Sequence, residues 1–174
     1  RRGAKCTAAT SVDCLHDGKP SLKLTGMTTR DLRGSRAWAR REFSEHVDLT
    51  ECRSLGLWVH GDGNGEVLDI QLIDRSLIRA RDHLVHIDFT GWRYIRLVEP
   101  ATEETFDYDL WSLKRNLVGF QYEAVRELRL QLVAMPKDQE VKVHIGRLEA
   151  LREQPHPLTN PVLDVNGQGL AFPV

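Results

Sequence analysis

Flat aromatic rings set beside side chains that hydrogen-bond in pairs are the residues of this chain best suited to chemistry, and that chemistry is sugar recognition. A pyranose presents apolar C–H faces rimmed by hydroxyls, so its site combines Trp or Tyr with Asp, Asn, Gln, Arg or His. Trp38 with Arg40 has this makeup, as do Tyr108 and Trp111 with Arg115 and Asn116. Catalytic groupings are thinner. The acidic run Glu99, Glu103, Glu104, Asp107 and Asp109 supplies carboxylates, but nothing in the sequence fixes the separation an acid–base pair needs. No Gly-x-Ser-x-Gly elbow or catalytic-cysteine context is present. His86 and Asp88 share a strand face near His83 and His60, and two converging ligands are too few for a metal.

The stretch Gly61-Asp62-Gly63-Asn64-Gly65 invites a phosphate or calcium reading and supports neither. A dinucleotide loop needs Gly-x-Gly-x-x-Gly before a helix, whereas the spacing here is Gly-x-Gly-x-Gly before a strand. An EF-hand counted from Asp62 puts Ile73 where Glu is required. The reading that remains is a hairpin corner joining Leu55–His60 to Glu66–Ile73. A second place for oxygen ligands is the Asp17-Gly18 turn, which a strand ending near Glu149 would bring close to a second carboxylate.

These residues must be held by a framework, and composition bounds it. The chain has 174 residues, enough for one good core, and 24 Lys+Arg against 25 Asp+Glu leave a net charge of −1. That balance argues against nucleic acid as the default partner. No run approaches the ~20 apolar residues that span a bilayer. The first residues show no apolar signal core, which reads as a mature or excised chain. Cys6, Cys14 and Cys52 lack zinc spacing and are expected as buried free thiols, with a Cys6–Cys14 disulfide as the alternative.

From Ser21 onward, short alternating runs separated by glycine, proline and charged corners predict roughly eight strands. They are Ser21–Thr25, Ala37–Phe43, Leu55–His60, Glu66–Ile73, Leu84–Phe89, Trp92–Val98, Glu127–Ala134 and Glu140–Leu148, with a helical turn allowed within Ile73–His83 and Tyr122–Arg129. The expected class is all-β, a jelly-roll sandwich of two antiparallel sheets. Alternation sends Leu68, Ile70 and Leu72 inward and Asp69 and Gln71 outward. It likewise separates Leu128, Leu130 and Leu132 from Arg129 and Gln131, and Leu57 and Val59 from Trp58 and His60. The span Pro100–Val125 is a long, aromatic-rich connection. Residues 1–153 read as the sandwich, and residues 154–174 as a linker and β-hairpin that could open a following domain.

The segments "HDGKPSLKL", "SLGLWVHGDGNGEVLDIQL", "HLVHIDFTGWRYIRL", "VRELRLQL" and "VKVHIGRLEAL", in that order, resemble the galactose-binding-like jelly-roll carbohydrate-binding modules of bacterial polysaccharide-degrading enzymes. The resemblance runs from about Cys14 to Leu151. It implies a non-catalytic, exported module (secreted, periplasmic or at the cell surface) that binds a polysaccharide or oligosaccharide for an attached catalytic domain. It implies a structural calcium near the Asp17–Lys19 turn and Glu149, where the family more often has Asp. It implies sugar binding either on the sheet face, through Asp69, Gln71, His86, Arg129 and Gln131, or in edge loops, through Trp38, Tyr108, Trp111 and Arg115. The other expectations are a sandwich spacer that binds no sugar, and an enzyme using His86 or the acidic loop.

Overall fold

A computed structural model describes residues 4–29, 36–77, 79–97, 119–152, 162–163 and 169–170. Nine of its strands build a sandwich: β1 (Ala4–His16), β2 (Lys19–Thr28), β3 (Arg36–Val47), β4 (Cys52–Asp62), β5 (Val67–Asp74), β6 (Ala80–His86), β7 (Thr90–Leu97), β8 (Val125–Val133) and β9 (Glu140–Arg152). One sheet has the order β1-β2-β9-β4-β7 and the other β3-β8-β5-β6. The pairings within both sheets are antiparallel. The short strands β10 (Val162–Leu163) and β11 (Gly169–Leu170) pair with each other, within the stretch read as a β-hairpin.

The inward apolar set follows the alternation. Leu24, Leu57, Val59, Leu68, Ile70, Ile87, Leu132, Val141 and Val143 are wholly buried between the sheets. At about 25 cal/mol per Å² of apolar area removed from water, this layer is the main force holding the two sheets together.

Several elements differ from the sequence expectation. Strand β1 lies outside the expected set because its small and polar residues show no alternating apolar face. It is an edge strand, paired to β2 through the two-residue Asp17-Gly18 turn, whose positive φ values of 49° and 70° suit a tight hairpin. Strand β6 spans Ala80–His86 rather than Leu84–Phe89, so within Ile73–His83, where a helical turn was allowed, lie the end of β5 and the first residues of β6. A 3-10 turn covers Tyr122–Ala124 and gives way at once to β8.

The glycine-rich stretch is also not a hairpin. Strand β4 runs through Gly61 to Asp62 and pairs with β7 and β9, while β5 pairs with β6 and β8, so the chain crosses there from one sheet to the other. Gly63 and Gly65 take positive φ values of 77° and 84° to make that crossing. Gly61 is glycine for a different reason. A Cβ there would strike the Phe89 carbonyl and lie 2.8 Å from Ile87 Cγ2. Gly61→Ala should therefore cost about 1–3 kcal/mol of overpacking, read as a lower urea midpoint at unchanged slope.

Candidate functional site

Strand register puts the polar residues of the four-stranded sheet into rows on its outward face. Trp38 pairs with Gln131, and Gln131 with Asp69; in the adjacent row Arg40 pairs with Arg129, Arg129 with Gln71, and Gln71 with Asp82. Glu42 and Glu127 start the next row, and His86 ends the row through Val67 and Val133. Six of the sequence-predicted residues, Trp38, Arg40, Asp69, Gln71, Arg129 and Gln131, thus lie side by side on one surface. His86 sits at its far edge and is exposed.

This face is more deeply withdrawn from water than alternation implies. Every residue of β5 is buried, including Asp69, Gln71 and Asp74, and Asp82, Glu127 and Gln131 are buried as well. Buried polar atoms need partners. Gln71 Nε2 donates to Asp82 Oδ1 at 2.6 Å, and Gln131 Nε2 donates to Asp69 Oδ2 at 2.8 Å. Arg129 donates from Nε to Glu127 Oε1 and from Nη1 to Gln71 Oε1 at 3.4 Å. Arg40 Nη1 stands 3.9 Å from Glu127 Oε2. Two amides, three carboxylates and two guanidinium groups form a layer with fixed donor and acceptor directions.

The layer opens to solvent at β3. Trp38 is 37% exposed, and the Arg129 guanidinium lies over its ring at 5.5 Å from the ring centre. The Arg40 side chain, 54% exposed, completes the rim. A flat ring backed by a cation and bordered by forked donors can stack on a sugar face while its neighbours bond paired hydroxyls. Tyr108, Trp111 and Arg115, the edge-loop candidates, lie outside the described residues.

The outward face of the other sheet carries a cluster that the sequence reading left unassembled. His16 packs on Trp58 at 4.7 Å and on Trp92 at 4.8 Å between ring centres, Trp58 meets Tyr94 at 5.4 Å, and His60 meets Trp92 at 5.4 Å. Trp92 Nε1 donates to the Leu15 carbonyl at 3.0 Å, so the cluster ties the end of β1 to β7. The outward alternation of Trp58 and His60 was legible; what hid the cluster was His16, brought in by the unforeseen edge strand. Behind it, burial, with Lys23 and His60 nearby, holds the His144 imidazole below its usual range, and its Nδ1 lies 3.0 Å from Ser21 Oγ.

The calcium position implied by the resemblance does not suit the residues present. The Asp17 side chain is 85% exposed, with its carboxylate 3.6 Å from His16 Nδ1. Lys19 adds an exposed ammonium, and the Glu149 carboxylate is engaged by Arg147 Nε. Among the described residues no group of three or more His, Cys, Asp or Glu converges on one point. Cys6, Cys14 and Cys52 are all free thiols and only partly buried, and burial raises the pKa of Cys6 and Cys14. None of the described helices is long and apolar enough to cross a membrane.

No family model matches the chain, and no curated protein matches it. Solved structures do. The family 11 carbohydrate-binding module of the cellulosomal cellulase Lic26A-Cel5E of Clostridium thermocellum superimposes with a TM-score of 0.57 over 90% of this chain and 88% of that one, at 9% identity. A family 30 carbohydrate-binding module gives 0.56 over 92% and 80%, at 18% identity. A family 11 module from Clostridium thermocellum in complex with a β-1,3-1,4-mixed-linked tetrasaccharide gives 0.55 over 85% and 83%, at 8% identity. An exo-β-agarase matches at 0.53 and 13% identity over 90% of this chain but 24% of its own length. Two antiparallel sheets of five and four strands, superimposing on these modules over most of their length, give this chain the β-sandwich fold of family 11 and family 30 carbohydrate-binding modules.

Proposed function

We propose that the chain is a non-catalytic carbohydrate-binding module that acts outside the cytoplasm and keeps an attached polysaccharide-degrading enzyme near its glycan. The observation that carries this reading is the half-open Trp38 ring, backed by Arg129 and flanked by Arg40, at the rim of a pre-paired layer of amides and carboxylates. Sugar stacks on Trp38, while Arg40 and Arg129, with Gln131 and Gln71 beneath, hold adjacent hydroxyls. Because donors and acceptors are already oriented, little ordering accompanies binding. A fold shared with a module crystallised with a mixed-linked tetrasaccharide supports an oligosaccharide ligand. Affinity per site is modest, and tethering to a catalytic domain raises the local concentration.

Affinity electrophoresis and calorimetry against soluble β-glucans, xyloglucan and agarose should show retardation and heat for at least one polymer. Neither signal with any of them would remove the reading. A second reading, a spacer that binds no sugar, is favoured by the burial of Asp69, Gln71, Asp82 and Gln131. It expects that silent panel together with a destabilised protein wherever the layer is broken.

A further inference from the structure

Strands β1 and β3 are the edge strands of their two sheets, and they meet along one side of the sandwich. The side chains they turn toward the core there are small: Ala4, Cys6 and Ala8 on β1, and Ala39 on β3. Side chains of that size leave the space between the sheets unfilled, and a cleft of about 440 Å³ remains. Its floor is Leu130 and Ile145, which are buried; its walls are Leu22, Leu128 and Leu148, which pack against the core yet are only half-buried. A volume of this size falls within the range of small-molecule sites, about 300–1,000 Å³.

Three guanidinium groups stand at the mouth, and two of them are already balanced. Arg40 lies 3.9 Å from Glu127, and Arg147 is engaged by Glu149. Arg41 follows Ala39 on the inward side of β3, rests over the Phe43 ring at 5.9 Å and is exposed. No carboxylate among the described residues pairs with it. Apolar walls with one uncompensated cation at the mouth select a ligand with an apolar body and a single negative head. A peptide would carry its amides, and a pyranose its hydroxyls, into a space lined by leucine and alanine, where those groups lose their partners. An alkyl chain brings no polar group inside, and a carboxylate at its end fits the guanidinium fork. We propose that this cleft binds a free long-chain carboxylate, with its alkyl chain between the sheets and its head group on Arg41. The site touches the glycan face only through Arg40 and does not depend on the glycan reading.

The test is calorimetry of the full chain with dodecanoate below its critical micelle concentration, and with dodecyltrimethylammonium as the probe of opposite charge. Dodecanoate should bind saturably, one molecule per chain, at least about tenfold more tightly than the cation. Arg41→Gln should weaken dodecanoate about tenfold and leave the cation unchanged; the residue is exposed, so the variant should fold as the parent does. Ala8→Phe fills the cleft from β1 and should abolish binding without lowering the melting temperature. Trp38→Ala should bind dodecanoate as the parent does, which keeps a failure here distinct from a failure of the glycan reading. The proposal is overturned by an absence of heat with dodecanoate, by equal binding of the two amphiphiles, or by binding that survives Arg41→Gln and Ala8→Phe undiminished. It is also overturned if the ligand-free chain sediments as a dimer and Ala8→Phe makes it a monomer, because a second copy then occupies the cleft.

Discussion

Trp38→Ala is expected to abolish retardation of the protein in polysaccharide gels and to weaken calorimetric binding about thirtyfold or more. Among the described residues the ring is the one large flat apolar surface at the opening of the polar layer. A truncated aromatic at the centre of a binding surface commonly costs about 2 kcal/mol or more. Its effect on folding should be much smaller. Trp38 is more than a third exposed, and its ring's contact with the Arg129 guanidinium is a partly solvated cation–π pair, so stability should fall by about 1 kcal/mol or less. Trp38→Phe keeps a stacking face and should recover most of the binding. If Trp38→Ala binds its polymer as well as the parent protein does, the glycan does not lie on this face.

The second large effect is expected at Glu127, and it should show in stability rather than in binding alone. This carboxylate is almost fully buried and takes Arg129 Nε, with Arg40 at 3.9 Å on its other side. Removing it leaves a guanidinium committed to the layer without its counter-charge. Loss of one partner of a buried pair costs about 3–5 kcal/mol, and the partial exposure of Arg129 moves the expectation to about 2–4 kcal/mol for Glu127→Ala. Glu127→Gln keeps the shape and one acceptor, and should lose about half as much. Urea unfolding of both variants measures the difference. The exposed Asp13–Lys23 pair offers a contrast, because Asp13→Ala should leave the midpoint unchanged. If the two substitutions behave alike, the layer contributes nothing to the fold.

These expectations separate what the linear pattern could show from what it could not. A period of two is a local property of a strand. The inward set Leu68, Ile70, Leu72 and the outward set Asp69, Gln71 were therefore legible residue by residue, as were Leu128, Leu130 and Leu132 against Arg129 and Gln131. Local chemistry also identified the Asp17-Gly18 turn and the aromatic character of Trp38 beside Arg40. Strand β1 was not legible, because an edge strand of small and polar residues buries little and carries no apolar stripe.

The sequence by itself thus determined an all-β chain, the inward side of most of its strands, and a supply of aromatic and polar groups suited to sugars. Only the tertiary structure decided which strands are neighbours, because register and sheet membership depend on pairings between residues far apart in the chain. That decision laid Trp38, Gln131 and Asp69 in one row and Arg40, Arg129, Gln71 and Asp82 in the next. It turned the glycine stretch from a hairpin into a crossing between sheets. It also placed Glu66 there out of water and without a donor, an environment that no spacing along the chain encodes.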